Sequence, residues 1–208
     1  MIAVGDPNAP ITVVVLHGRE MCGADLSPFA AALAKDAYWV FPDAPLEAGR
    51  ARTWWPIDSE QRIRALQTGP MELSAMDPPG RREARAHLDQ LLATLPTRFV
   101  LAGFSQGGML AMDYVLHGGR RPAALALLST TRIAIADWTS CAETGVLADL
   151  RVLVAHGTAD TELAFSAGEQ LRDFATRHGA AVQWLPFDGG HQLPFVVWRA
   201  LRKLVAST

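Results

Sequence analysis

The pentapeptide GFSQG at residues 103–107 sets a serine between glycines, a combination with chemical potential in this 208-residue chain. An apolar run leads into it and a helical pattern leaves it, so strand, tight turn and helix would meet at Ser105. Such a turn forces the serine backbone into a strained conformation and lifts its hydroxyl above the end of a sheet. Residues 103 and 107 must then be tiny, because a larger side chain would collide with strand or helix; Gly108 gives further room. The helix that follows also directs its positive end at the hydroxyl.

A serine hydroxyl is a poor nucleophile unless a base takes its proton and a third group orients the base. RVLVAHGTAD (151–160) places Asp160 just past an apolar run, and VQWLPFDGGHQLP (182–194) places His191 just past the next. Serine, acid, histidine is the chain order expected in the fold that uses such a strand-to-helix turn. Asp160 would accept from Nδ1 of His191, leaving Nε2 to take the proton of Ser105. The resulting chemistry is acyl transfer, whose tetrahedral intermediate needs donors for its negative oxygen. One would be the N–H of Gln106; the other would come from the loop LHGREMCG (16–23).

Other titratable residues have plainer readings. His17 and His156 sit in HG turns at strand ends, where a ring bonded to loop backbone is expected. His87, His117 and His178 lie in or at the ends of helices, and no histidine pair has metal-ligand spacing on one helix, so no metal and no cofactor are expected. Asp188 reads as a turn residue, and Asp137 and Asp149 are weaker alternatives to Asp160. Cys22 and Cys141 are too few and too distant for a disulfide scaffold or a zinc site, and Cys22 reads as an inert thiol or an incidental reactive one.

These residues need elements to hold them. Apolar, β-branched runs at 11–18, 38–44, 98–105, 123–130, 151–158 and 182–189 read as strands buried on both faces. Helical periods occupy 27–37, 82–95, 106–119, 162–179 and 193–207. Their alternation implies right-handed crossovers and an α/β fold with a mostly parallel sheet covered on both faces. Two stretches break the rhythm. Residues 45–80, with prolines, arginines and a Trp pair, are expected to line or cover the site, and 131–149 reads as irregular.

Half of the residues are apolar and the net charge is −2, enough for one sizeable core and no electrostatic footprint for nucleic acid or an anionic membrane. The start, MIAVGDPNAP, lacks a signal-peptide pattern, and no apolar run approaches bilayer length. The expectation is one soluble, cytoplasmic domain spanning 1–208 without integral membrane segments.

Taken together, LHG (16–18), FPDAP (41–45), RARTWW (50–55), GFSQGG (103–108), HGTAD (156–160) and GGH (189–191) resemble the carboxylesterase, acyl-protein thioesterase and lysophospholipase family of small α/β-hydrolases. The resemblance implies an α/β-hydrolase fold of six or seven strands with little or no cap, a Ser105–Asp160–His191 triad, and backbone oxyanion donors at Arg19 and Gln106. It further implies action on small-molecule esters or thioesters of short to medium acyl chains, and it admits a homodimer. Trp54 and Trp55 fall where the family has aromatics near the acyl site, either as substrate contacts or as anchors for the irregular segment. Met71 and Met76 read as gap-filling core or loose surface. The chain departs from the pattern at Arg19-Glu20 after HG, at TELAF after Asp160, and at Gln192 after His191. A lactonase or perhydrolase on the same triad, or a catalytically silent binding module, are the alternatives.

Overall fold

In a computed structural model of the chain, residues 1–31, 37–56, 60, 67–96 and 98–208 are described. Nine strands are found among them: β1 (Ile2–Val4), β2 (Thr12–Leu16), β3 (Tyr38–Phe41), β4 (Leu46–Ala48), β5 (Ala51–Thr53), β6 (Phe99–Phe104), β7 (Ala124–Leu128), β8 (Arg151–Gly157) and β9 (Ala181–Phe187). The helices are α1 (Gly23–Ala31), α2 (Arg81–Ala93), α3 (Gln106–Leu116), α4 (Ile135–Ala142), α5 (Phe165–Arg177) and α6 (Phe195–Ala206).

Seven strands form one sheet in the order β1-β3-β2-β6-β7-β8-β9, parallel throughout except for the antiparallel edge strand β1. Runs such as TVVVL and FVLAGF are buried at every position because helices cover both faces. Their side chains still alternate. Val14, Leu16, Leu101 and Leu127 pack with Leu88 of α2, Trp138 of α4 and Leu171 of α5. Val13, Val15, Val100 and Leu128 pack with Leu26 of α1 and Trp198 of α6.

From β2 the chain moves outward to β3 and then crosses to β6, so the order reverses between β2 and β6. At such a reversal the loops leave their strands in opposite directions and open a crevice beyond the carboxyl ends. Leu16 pairs with Gly103 there, which puts the loop after β2 beside the turn that carries Ser105.

All six expected strands are present, but β9, at the sheet edge, is exposed or half-buried along most of its length and not buried on both faces. The edge strand β1 and the β4–β5 hairpin are additions, three strands of three residues each, too short to show a period. The stretch 131–149, expected to be irregular, contains α4, whose eight residues are below the length at which period is informative. Helix α1 begins before the expected 27–37, and much of that segment, like 57–59 and 61–66 of the irregular stretch, lies outside the described residues.

A buried ion network joins α2, α3 and α4. Arg81, 1% exposed, donates to Asp77, Asp113 and Asp137. Asp113, fully buried in the mostly apolar α3, also accepts from Arg85 at 2.9 Å and from the Trp138 indole at 2.8 Å. This explains Asp137 and His117, whose Nε2 lies 2.9 Å from the same Asp137 carboxylate: both belong to the network and lie apart from the serine.

Candidate active site

Ser105 follows β6 and caps α3 with φ 52° and ψ −117°, a conformation that a non-glycine residue adopts only under the constraint of its surroundings. The constraints are visible. The Ser105 N–H donates to Leu128 O of β7 at 2.9 Å, and its carbonyl accepts from Gly108 and Met109 of α3 and from the Thr130 hydroxyl. The strand-to-helix turn expected from GFSQG is therefore present, strain included.

Asp160 and His191 are carried to the same place by β8 and β9. His191 bridges the site: its Nε2 lies 2.9 Å from Ser105 Oγ and its Nδ1 lies 2.8 Å from Asp160 Oδ2. Because ionised Asp160 can only accept, the His191 Nδ1 carries the hydrogen and Nε2 presents a lone pair to the serine hydroxyl. The Phe104 ring, 5.0 Å away between centroids, supports the imidazole.

Asp160 is held from every side. Oδ1 accepts the N–H groups of Glu162 and Leu163, both at 2.9 Å. Oδ2 receives His191 and, at 3.3 Å, Nε2 of His156. Burial by itself would raise the carboxyl pKa, but the donations from His156, His191 and Leu163 outweigh it and hold it well below the usual carboxylate range. The group is therefore ionised at neutral pH.

The two HG histidines differ in what they do. His17 accepts the Ala44 N–H at Nε2 (3.0 Å), so its Nδ1 donates to Gly18 O (2.7 Å). Burial lowers its pKa and favours this neutral form. It braces loop backbone, as expected. His156 also bonds backbone, Leu163 O at 3.1 Å, but shares that hydrogen with Asp160. Its contact with the carboxylate was not anticipated; the spacing HGTAD, four residues from His156 to Asp160, is the signal that could have shown it.

Gln106 begins α3, so its N–H has no intrahelical acceptor and remains available beside Ser105. Its side chain has a separate task. Oε1 accepts the Trp54 N–H at 3.0 Å and lies 2.9 Å from the Thr53 hydroxyl, while Nε2 donates to Trp55 O at 3.3 Å. The segment after β5 is thereby tied to the turn of Ser105. Arg19 lies in the loop after β2, close enough for its side chain to line the cavities on both sides of the serine.

One of these cavities, about 330 Å³, is walled by Trp55, Met71, Leu73, Met76, Met109 and Leu163 among others. The other, about 500 Å³, runs past Phe104 and His191 toward Met21 and Phe29. Of the Trp pair, Trp55 reaches the cavity. Trp54 does not line it: 1% exposed, it donates its indole N–H to His17 O at 2.9 Å and anchors the segment. Met71 and Met76 line the cavity where core or surface was expected, because a bridge between Met71 and Leu163 draws their segment to the site. Asp149 and Asp188 lie in turns and contribute nothing to the Ser105–His191 chain.

No protein-family model matches the sequence. The chain is similar to acyl-protein thioesterase 1 of Yarrowia lipolytica, with 27% identity over 192 residues, 86% of this chain and 82% of that protein. Its structure is similar to that of Arabidopsis thaliana SOBER1, with a TM-score of 0.76 and 22% identity over 95% of this chain and 98% of the other. Zea mays acyl-protein thioesterase 2 superposes with a TM-score of 0.75, 20% identity, and coverage of 99% and 97%. The fold is that of the α/β-hydrolases. Within it, the chain is similar to the carboxylesterase and acyl-protein thioesterase family that its motifs suggested.

Proposed function

We propose that this chain hydrolyses carboxylic esters or thioesters through an acyl-enzyme on Ser105. The observation that carries the reading is the single imidazole of His191 between the Ser105 hydroxyl and the Asp160 carboxylate, at 2.9 and 2.8 Å. The similarity to an acyl-protein thioesterase supports the same reaction class.

In the first half-reaction Ser105 Oγ attacks the carbonyl carbon and its proton passes to His191 Nε2. The carbonyl oxygen becomes negative and is met by the N–H groups of Gln106 and Arg19, with the positive end of α3 behind Gln106. Collapse of the intermediate expels the alcohol or thiol, which takes the proton from His191. Water then enters, loses a proton to His191, attacks the acyl-serine, and releases the carboxylic acid as the proton returns to Ser105. Asp160 keeps the imidazole in the required tautomer and balances its charge when protonated. The apolar cavity suits the acyl group, and the cavity past His191 suits the leaving group.

Among the described residues no helix is long and apolar enough to cross a membrane. Substrate would reach the site as a small ester or thioester, short to medium in its acyl chain. The test is hydrolysis of p-nitrophenyl butyrate together with labelling by a fluorophosphonate probe. The native chain should turn over the ester and carry the probe on Ser105, and Ser105→Ala should do neither. Turnover by Ser105→Ala at the native rate would refute the assignment, and an unlabelled, inactive native chain would leave a silent binding module.

A further inference from the structure

Two departures from the family pattern, Arg19 after HG and Glu162 within TELAF, lie 143 positions apart in sequence yet meet in the fold. Arg19 Nη2 stands 3.5 Å from Glu162 Oε2, with the side chains 18% and 43% exposed. Both residues line the apolar cavity and also the cavity past His191; Ser105 is the third residue the two cavities share. The ion pair therefore lies along the boundary that a substrate with one arm in each cavity must cross.

The Glu162 end of the pair is anchored. The Glu162 N–H is fixed on Asp160 Oδ1, and the Glu162 carbonyl accepts the Met71 N–H at 2.9 Å, next to the apolar wall. On the other side Arg19 follows Gly18, which packs close to the Phe104 ring: a Cβ there would sit 3.0 Å from it. The Glu162 carboxylate is thus delivered toward Arg19 from a fixed backbone.

We propose that the Arg19–Glu162 pair is a strap that sets selectivity at the carbon next to the scissile carbonyl. The proposal rests on the serine-hydrolase reading above. A straight acyl group passes beneath the closed pair, whereas a substituent on the α-carbon needs the space the two charged heads occupy and must open it. A pair this exposed holds a preference of at most about five-fold for its closed form, so the discrimination it imposes is of that size. The stabilising effect of such a pair on the fold is correspondingly small.

The experiment compares p-nitrophenyl butyrate with its α-branched isomer, p-nitrophenyl isobutyrate, in the native chain, Glu162→Ala and Glu162→Gln. Both variants should raise the isobutyrate-to-butyrate ratio of kcat/KM by up to about five-fold. Salt at 1 M, which screens exposed pairs, should move the native ratio in the same direction and leave that of Glu162→Gln in place. Fluorophosphonate labelling of Ser105 in each variant shows that the site is assembled. An unchanged ratio in both variants overturns the strap; a change in Glu162→Ala alone does so too, because bulk rather than the ion pair would then be responsible. A native chain that hydrolyses neither ester and takes no label instead removes the serine-hydrolase reading on which the strap depends.

Discussion

The carbonyl oxygen of Gly107 stands 2.2 Å from where a Cβ on Gly103 would have to be. Strand β6 and helix α3 approach so closely that the hydrogen of glycine is the largest substituent the strand can carry there. No side-chain rotation relieves the clash, because both partners are backbone. Gly103→Ala should therefore cost about 3 kcal/mol, at the upper end of overpacking effects. In a chain of this length that is a fall of about 10 °C in Tm. Thermal unfolding checks it, and labelling of Ser105 should slow well beyond what the residual folded fraction explains.

The four N–H groups converging on Asp160 carry both a kinetic and a pH prediction. Asp160→Asn removes the charge that opposes imidazolium and disturbs the tautomer, so kcat should fall by about 10³ to 10⁴ with the probe still able to bind. The folded pKa of Asp160 is depressed, so its contribution to stability is present above the ordinary carboxylate pKa and lost as pH falls below it. The gap in Tm between the native chain and Asp160→Asn should accordingly be widest near pH 7 and narrow below about pH 4. A gap that widens toward acid would contradict the assignment of these hydrogen bonds.

Arg81 and Asp113 illustrate the cost of leaving a buried charge alone. Arg81→Met strips Asp113 of its buried partner, with Arg85 and Trp138 remaining, and should destabilise by about 3 kcal/mol, or roughly 10 °C. Adding Asp113→Asn should return part of that loss, because the uncompensated charge goes with it. Denaturant titration of the two single variants and the double variant measures the coupling; strictly additive losses would refute it.

Gln106 is expected to show how the cavity wall is tied to the nucleophile turn. Gln106→Ala keeps the backbone N–H but leaves the buried Trp54 N–H without its acceptor, at a cost of about 1–3 kcal/mol. Since Trp55 lines the apolar cavity, KM should rise more for longer acyl esters than for acetate, while kcat for acetate changes less. A series of p-nitrophenyl esters of increasing chain length distinguishes this from a general loss of folded protein.

The sequence by itself determined the alternation of buried strands and helices, the glycine-enclosed turn, and the chain order of Ser105, Asp160 and His191. These are local properties: apolar period, tiny residues at a collision point, and polar residues placed just past strand ends. Tertiary structure decided what depends on approach between distant segments. It put Trp54 in the core and Trp55 on the cavity, because a single side chain, Gln106, fixes the backbone between them. It drew Met71 and Met76 to the site through one bridge to Leu163, and it gave His156 a share of the Asp160 carboxylate. It also brought Arg19 to Glu162. Each had been legible only as an oddity in its own loop, since a pairing across 143 residues leaves no period or spacing in the sequence, and only the reversal of strand order between β2 and β6 sets the loop after β2 against the turns of β6 and β8.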